Sequence, residues 1–162
     1  MKKIKKIKIG INGKFLMINE NINRPTLHEI FTKVAEAKTR EEKSKVLKHY
    51  DTPHVRYFLK GAFDDSIEWL IPKGVPPYKE TTPKEADHVR KHIVKRFKFF
   101  VKGGPKVKSE THREVMFIRI LETIDPKDAE LLILCKDKEF TGKFKGLTKK
   151  LVTDTFPGLI KM

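Results

Sequence analysis

The sequence predicts an all-α fold: a single compact domain of about seven helices over residues 25–162, preceded by a basic arm over 1–24 that is a short β-hairpin or disordered. Three observations predict it. From Thr26 onward, Ser, Thr or Asp repeatedly stands just ahead of apolar residues at helical spacing, the arrangement of an N-cap and a buried face. Proline and glycine fall between these stretches and leave only short links. No self-similarity with a period of 20–50 residues appears.

The arm alternates Ile7, Ile9 and Ile11 with polar residues or Gly10, then gives Asn12-Gly13 and Lys14-Phe15-Leu16-Met17-Ile18, a hairpin pattern. An isolated hairpin is marginal, so a disordered lysine-rich leader is the competing expectation. Thr26 caps a first helix to about Lys38, with Leu27, Ile30, Phe31 and Val34 on one face. Thr39-Arg40-Glu41-Glu42 forms a capping box for a second helix through Tyr50, with Val46, Leu47 and Tyr50 inward. Thr52-Pro53 opens a third, burying Val55, Phe58, Leu59 and Ala62. Asp64 or Asp65 caps a short turn carrying Ile67, Trp69 and Leu70.

Pro72 through Thr82 is the one long loop, stiffened by its prolines. Thr82-Pro83-Lys84-Glu85 is expected to open a helix from about Pro83 to Lys102. Val89, Ile93, Phe97 and Phe100 face its core, while Arg90, Lys91, Lys95, Arg96, Lys98 and Lys102 face solvent. Ser109 caps a helix carrying Val115, Phe117, Ile118, Ile120 and Leu121. Asp125-Pro126 starts the next, through about Lys136, and Thr148 opens the last, which ends before Pro157.

Charge narrows the function. The chain carries a formal +15 with a pI near 9.8, an excess that favours an anionic partner, nucleic acid first. The longest apolar stretches are too short to span a bilayer, and the charged N-terminus is not followed by an apolar stretch like that of a signal peptide. A cytoplasmic monomer is expected. Cys135, the one cysteine, sits in the apolar run Leu131–Cys135 and reads as a buried thiol.

Two lysine groups stand out. In Lys143-Phe144-Lys145-Gly146-Leu147-Thr148-Lys149-Lys150, cations and free N–H groups gather at a helix start, an arrangement suited to phosphate. Lys149 and Lys150 occupy the first turn, where the macrodipole disfavours cations by some tenths of a kcal/mol. In the turn Gly103-Gly104-Pro105-Lys106-Val107-Lys108, glycines let backbone approach an anion while Lys102, Lys106 and Lys108 supply charge. Solvated lysines beside helix ends are the plainer alternative for both.

Catalytic patterns are weak. Asp64-Asp65 and Glu41-Glu42 are adjacent pairs, whose side chains point apart on a helix and suit capping. No G-x-S-x-G, Walker loop or nucleotide-binding lysine motif occurs. His88 and His92, with His112, lack the glutamate and third ligand of a metal site. No enzyme activity, cofactor or metal is expected. Trp69, beside Phe63 and Ile67, reads as core rather than a base-stacking platform, and Tyr78 as the exposed aromatic.

The ordered pattern resembles the N-terminal DNA-binding domain of T4-type phage ATP-dependent DNA ligases. Three stretches carry the resemblance: Leu27-His28-Glu29-Ile30 with Thr39 to Lys48; Leu59-Lys60-Gly61-Ala62-Phe63 with Ile67-Glu68-Trp69; and Gly146-Leu147-Thr148 through Phe156-Pro157-Gly158-Leu159-Ile160. From Pro25 to Ile160 the chain is also similar to a group of uncharacterised proteins of T4-like marine phages. The ligase resemblance implies an all-α domain that grips duplex backbone through helix ends and loops, with Gly146 and Thr148 carried over. Lys143, Lys145, Lys149 and Lys150 are electrostatic inferences. The family's acidic-Leu-Glu-Cys is replaced by Thr141-Gly142-Lys143-Phe144-Lys145, and no adenylation domain follows, so ligation is not expected. The expected partner is double-stranded DNA, held with little sequence preference. A rival is a protein-interaction module of a phage replication, transcription or virion complex, using Tyr78 and Leu159; a weaker one is RNA binding through the arm.

Overall fold

Threonine, serine and aspartate caps set the helix starts that the local sequence rules require. The computed structural model describes residues 4–9, 14–19 and 25–161, with side chains from 25 onward except at 91, 93 and 94. Helices α1 (Leu27–Glu36), α2 (Arg40–His49) and α3 (Pro53–Phe63) begin at Thr26, Thr39 and Thr52. Each cap oxygen accepts a backbone N–H three residues on, and Thr39 with Glu42 completes a capping box. After α4 (Arg90–Arg96) come α5 (Glu110–Thr123), α6 (Pro126–Lys136), the single turn α7 (Phe140–Lys143) and α8 (Lys149–Thr155). The described residues thus hold seven helices and one extra turn in an all-α body. Strands β1 (Ile4–Ile9) and β2 (Lys14–Asn19) pair antiparallel, with Ile9 opposite Lys14. The Asn12-Gly13 turn expected between them lies outside the described residues.

Helix α6 sits at the centre, packed against α1, α3 and α5, while α2 packs on α1 and α8. Its Leu131, Leu132 and Cys135 are fully buried. The Cys135 thiol donates to the Phe58 carbonyl at 3.3 Å, and burial pushes it well above the usual thiol range. Phe31, Phe140 and Phe144 form an aromatic cluster with ring centroids 5.3–5.9 Å apart.

Side chains from other helices hold both ends of α1. At its N-terminus, the buried Asp128 carboxylate of α6 accepts the His28 N–H at 2.9 Å. At its C-terminus, Lys43 of α2 donates to the carbonyls of Val34, Ala35 and Ala37 at 2.9, 3.1 and 2.6 Å. An anion at the positive end and a cation at the negative end is what the macrodipole favours. Burial raises the Asp128 carboxyl to about 7, against the lowering effect of the His28 N–H.

Two expectations need correction. The helix foreseen from Pro83 to Lys102 shrinks to α4 and a 3-10 turn, Phe97–Phe100. Thr82 to Glu85 forms only a turn, and beyond it Asp87 pairs with Ile124 in a parallel bridge, its N–H donating to Thr123. That non-local pairing holds the chain extended where the local cap would have started a helix. Val89, Phe97 and Phe100 remain buried, whereas Ile93 and Lys91 lie outside the described side chains. The short turn after α3 forms as expected, capped by Asp64, and beyond it Trp69 pairs with Val101 in an antiparallel bridge, with Leu70 donating to Phe100 at 2.8 Å and Lys102 to Glu68 at 2.9 Å. Val115 is exposed on α5, whose buried stripe is Phe117, Ile120 and Leu121. Tyr78 is half-buried against the core, so among described residues Tyr57 is the more exposed aromatic.

Candidate functional site

The C-terminal lysine group is built on a packed turn. Leu147 is fully buried, its carbonyl accepting from Thr141 Oγ1 at 2.8 Å, and Thr148 Oγ1 accepts the Leu151 N–H at 3.2 Å to start α8. Gly146 has φ +81°, and a Cβ there would lie 2.7 Å from Lys43 Cε. Its glycine identity thus follows from the turn and from the lysine that caps α1. Lys149 Nζ sits 2.5 Å from Asp65 Oδ2, and Lys143 Nζ 3.4 Å from Glu130 Oε1. Lys145 and Lys150 are exposed without an acidic partner among the described residues.

The second group hangs from the 68–70 and 100–102 pairing. Lys102 Nζ lies 3.5 Å from Glu68 Oε2. Gly103 takes φ +90°, and a Cβ on Gly104 would fall 1.8 Å from the Lys98 carbonyl oxygen. Lys106 and Lys108 are exposed and unpaired among the described residues.

These groups, far apart in sequence, meet at one segment. Lys149 pairs with Asp65 and Lys102 with Glu68, and the chain between those two carboxylates spans at most about 10 Å. Asp64 anchors the segment. It is fully buried and accepts the Ser66 N–H and Oγ at 2.8 and 2.6 Å and the Lys161 N–H at 3.2 Å, with Lys60 Nζ 3.2 Å away. Burial alone would raise its carboxyl, but these bonds outweigh it and hold the group well below the usual carboxylate range.

A third set of cations was not singled out by the sequence. Helix α2 packs beside α8, Arg40 pairs with Asp154, and Lys45 and Lys48 border a groove of about 310 Å³ between the helices. Ser44 Oγ and Thr155 Oγ1 lie 2.9 Å apart in that groove. On a helix that buries Leu47, alternating lysines read as a solvated face; only the packing of α2 on α8 sets them beside Leu151 and Asp154.

Beside the acidic segment lies a second groove of about 430 Å³, walled by Ile67, Trp69, Ile71, Lys73 and Lys138. Trp69, expected in the core, is only partly buried. Its Nε1 donates to the Gly61 carbonyl at 2.9 Å and its ring meets Phe97 edge-on, which leaves part of it at the groove. Lys138 has φ +58° at the position after α6 where glycine is usual. The Glu139 N–H to Leu134 and Lys138 N–H to Cys135 bonds complete a Schellman motif, and Lys138 Nζ donates to the Asp64 carbonyl at 2.7 Å.

His88 precedes α4, so it and His92 do not share a helix face. No cluster of three or more His, Cys, Asp or Glu suited to a metal occurs among the described residues. No described helix is long and apolar enough to cross a membrane. Residues 30–142 match the profile of a family of unknown function (DUF6433), and no curated protein matches the sequence.

Proposed function

The chain therefore belongs to that family, and we propose that it is a non-catalytic protein that binds the phosphate backbone of duplex DNA with little sequence preference. One observation carries the reading: one lysine from each of two distant groups, Lys149 and Lys102, pairs with a single short segment through Asp65 and Glu68. The excess of +15 supplies the driving force, since each phosphate neutralised releases condensed counterions. Lys145, Lys150, Lys106 and Lys108 are open to phosphate at once. Lys149 and Lys102 become available by exchange, because exposed ion pairs of their kind hold by only about 0–1 kcal/mol. Lys45 and Lys48 add exposed charge along α2, beside its groove with α8. The resemblance of Gly146-Leu147-Thr148 to a DNA-gripping turn supports the same direction.

The test is a titration of short blunt duplex DNA at several salt concentrations. The double variant Lys149→Ala/Lys150→Ala should weaken all sequences alike and reduce the slope of log affinity against log salt by about 2. An unchanged slope in that variant, or no binding by the native chain at low salt, overturns the assignment. One observation favours a second reading as a protein-interaction module: Val75 is 74% exposed beside an apolar groove of about 260 Å³ lined by Pro76, Pro77, Phe117 and Ile118. Tyr78 and Leu159 are both half-buried and offer it less surface than the sequence suggested.

A further inference from the structure

Stacked bases inside a duplex present only their edges, so a concave, aromatic-walled groove on a phosphate-binding face has nothing there to receive. The groove walled by Ile67, Trp69 and Ile71 lies on that face, since Asp65 and Glu68 at its mouth are the residues that pair with Lys149 and Lys102. Resting on the DNA-binding reading above, we infer that this groove takes an unpaired base, so that the preferred ligand is DNA with a single-stranded end or gap beside its duplex.

Three features argue for that occupant. At about 430 Å³ the groove falls within the roughly 300–1,000 Å³ of small-molecule sites, and its apolar wall includes the Trp69 ring, a surface on which any base can stack. Lys73 and Lys138 line it alongside the mutually paired Lys136 and Asp137, with Lys102 and Lys149 one ion pair beyond, so a base lodged here keeps its flanking phosphates among cations. Asp65 and Glu68 are otherwise out of place on a surface for a polyanion. Once their lysines pass to phosphate, the two carboxylates are left as acceptors for an exocyclic amino group such as that of cytosine. The strained backbone of Lys138 belongs to the same picture: an αL conformation that glycine would adopt freely is occupied by a side chain that braces the groove wall through the Asp64 carbonyl.

Trp69 is the only tryptophan in the chain, so its emission reports directly on this groove. The experiment uses the full chain with three dye-labelled probes: a blunt duplex, the same duplex with a four-cytosine overhang, and a single strand. Anisotropy follows binding and tryptophan fluorescence follows base contact. The overhang is expected to bind about 5- to 150-fold more tightly than the blunt duplex, the equivalent of one stacked base, and to quench Trp69 where the blunt duplex does not. Trp69→Leu should erase that preference while leaving blunt-duplex affinity unchanged; if this variant does not fold, the quenching in the native chain decides alone. Equal affinity for both duplexes, or binding of the overhang without quenching, overturns the unpaired-base site and leaves the duplex reading standing. Failure to bind any of the three probes overturns the duplex reading itself.

Discussion

The turn around Gly146 and the turn around Gly103-Gly104 look alike in sequence, each a glycine among lysines beside a helix end, yet they are held by different forces. At Gly146 the surroundings are side chains: Lys43 lies against the glycine, Leu147 is buried, and Thr148 caps α8. At Gly104 the surroundings are backbone, with the Lys98 carbonyl oxygen where a Cβ would stand. The first turn can give way by moving a flexible lysine; the second cannot. Each nevertheless delivers one lysine to the same acidic segment, so one segment is met by two unrelated local solutions.

Substitutions can break or sharpen that contrast. Gly104→Ala should cost the most, about 3 kcal/mol or more in unfolding free energy by urea titration, because a rigid carbonyl blocks the methyl group. Next comes pH, which bears on the Gly146 turn through α1, whose far end Asp128 holds. Burial raises the folded-state carboxyl to about 7 from the ordinary carboxylate range near 4, so between roughly pH 4 and 7 the native chain keeps a proton that the unfolded chain has lost. Stability should therefore fall as pH rises through that window, by roughly 2–4 kcal/mol, and level off above it. Asp128→Asn keeps the acceptor for the His28 N–H and should flatten the profile of urea midpoint against pH. Gly146→Ala should cost about 2 kcal/mol, from the positive φ and the displacement of Lys43 from the α1 carbonyls. Gly103→Ala should cost the least, about 1 kcal/mol, since only its φ of +90° opposes the methyl and no other atom lies within 4 Å. Equal costs at positions 104 and 146 would remove the distinction between a backbone-locked and a side-chain-locked turn.

What was legible in the sequence was what local chemistry decides. Thr26, Thr39, Thr52, Ser109, Asp125 and Thr148 each cap the helix they were expected to cap, because a cap depends on residues two or three positions away. Thr82 misled because Asp87, five residues on, is claimed by Thr123 from a distant helix end. Trp69 packs against the core as expected, but its bridge to Val101, which no periodicity encodes, leaves part of it at a surface groove. Among the candidate site residues, the lysines beside glycines were visible as a pattern. Lys45 and Lys48 were not, because their neighbourhood is made by α8, about a hundred residues away. The ion pairs at Lys143, Lys149 and Lys102 were equally hidden, since Glu130, Asp65 and Glu68 come from other elements.

The lone thiol, Cys135, turns the central helix into a clock. Shut away completely and kept protonated by its surroundings, it is out of reach of an alkylating reagent while the helices stay together. Labelling can proceed only as fast as the body opens, so the rate at which one added mass appears measures how often the interior of this protein meets water.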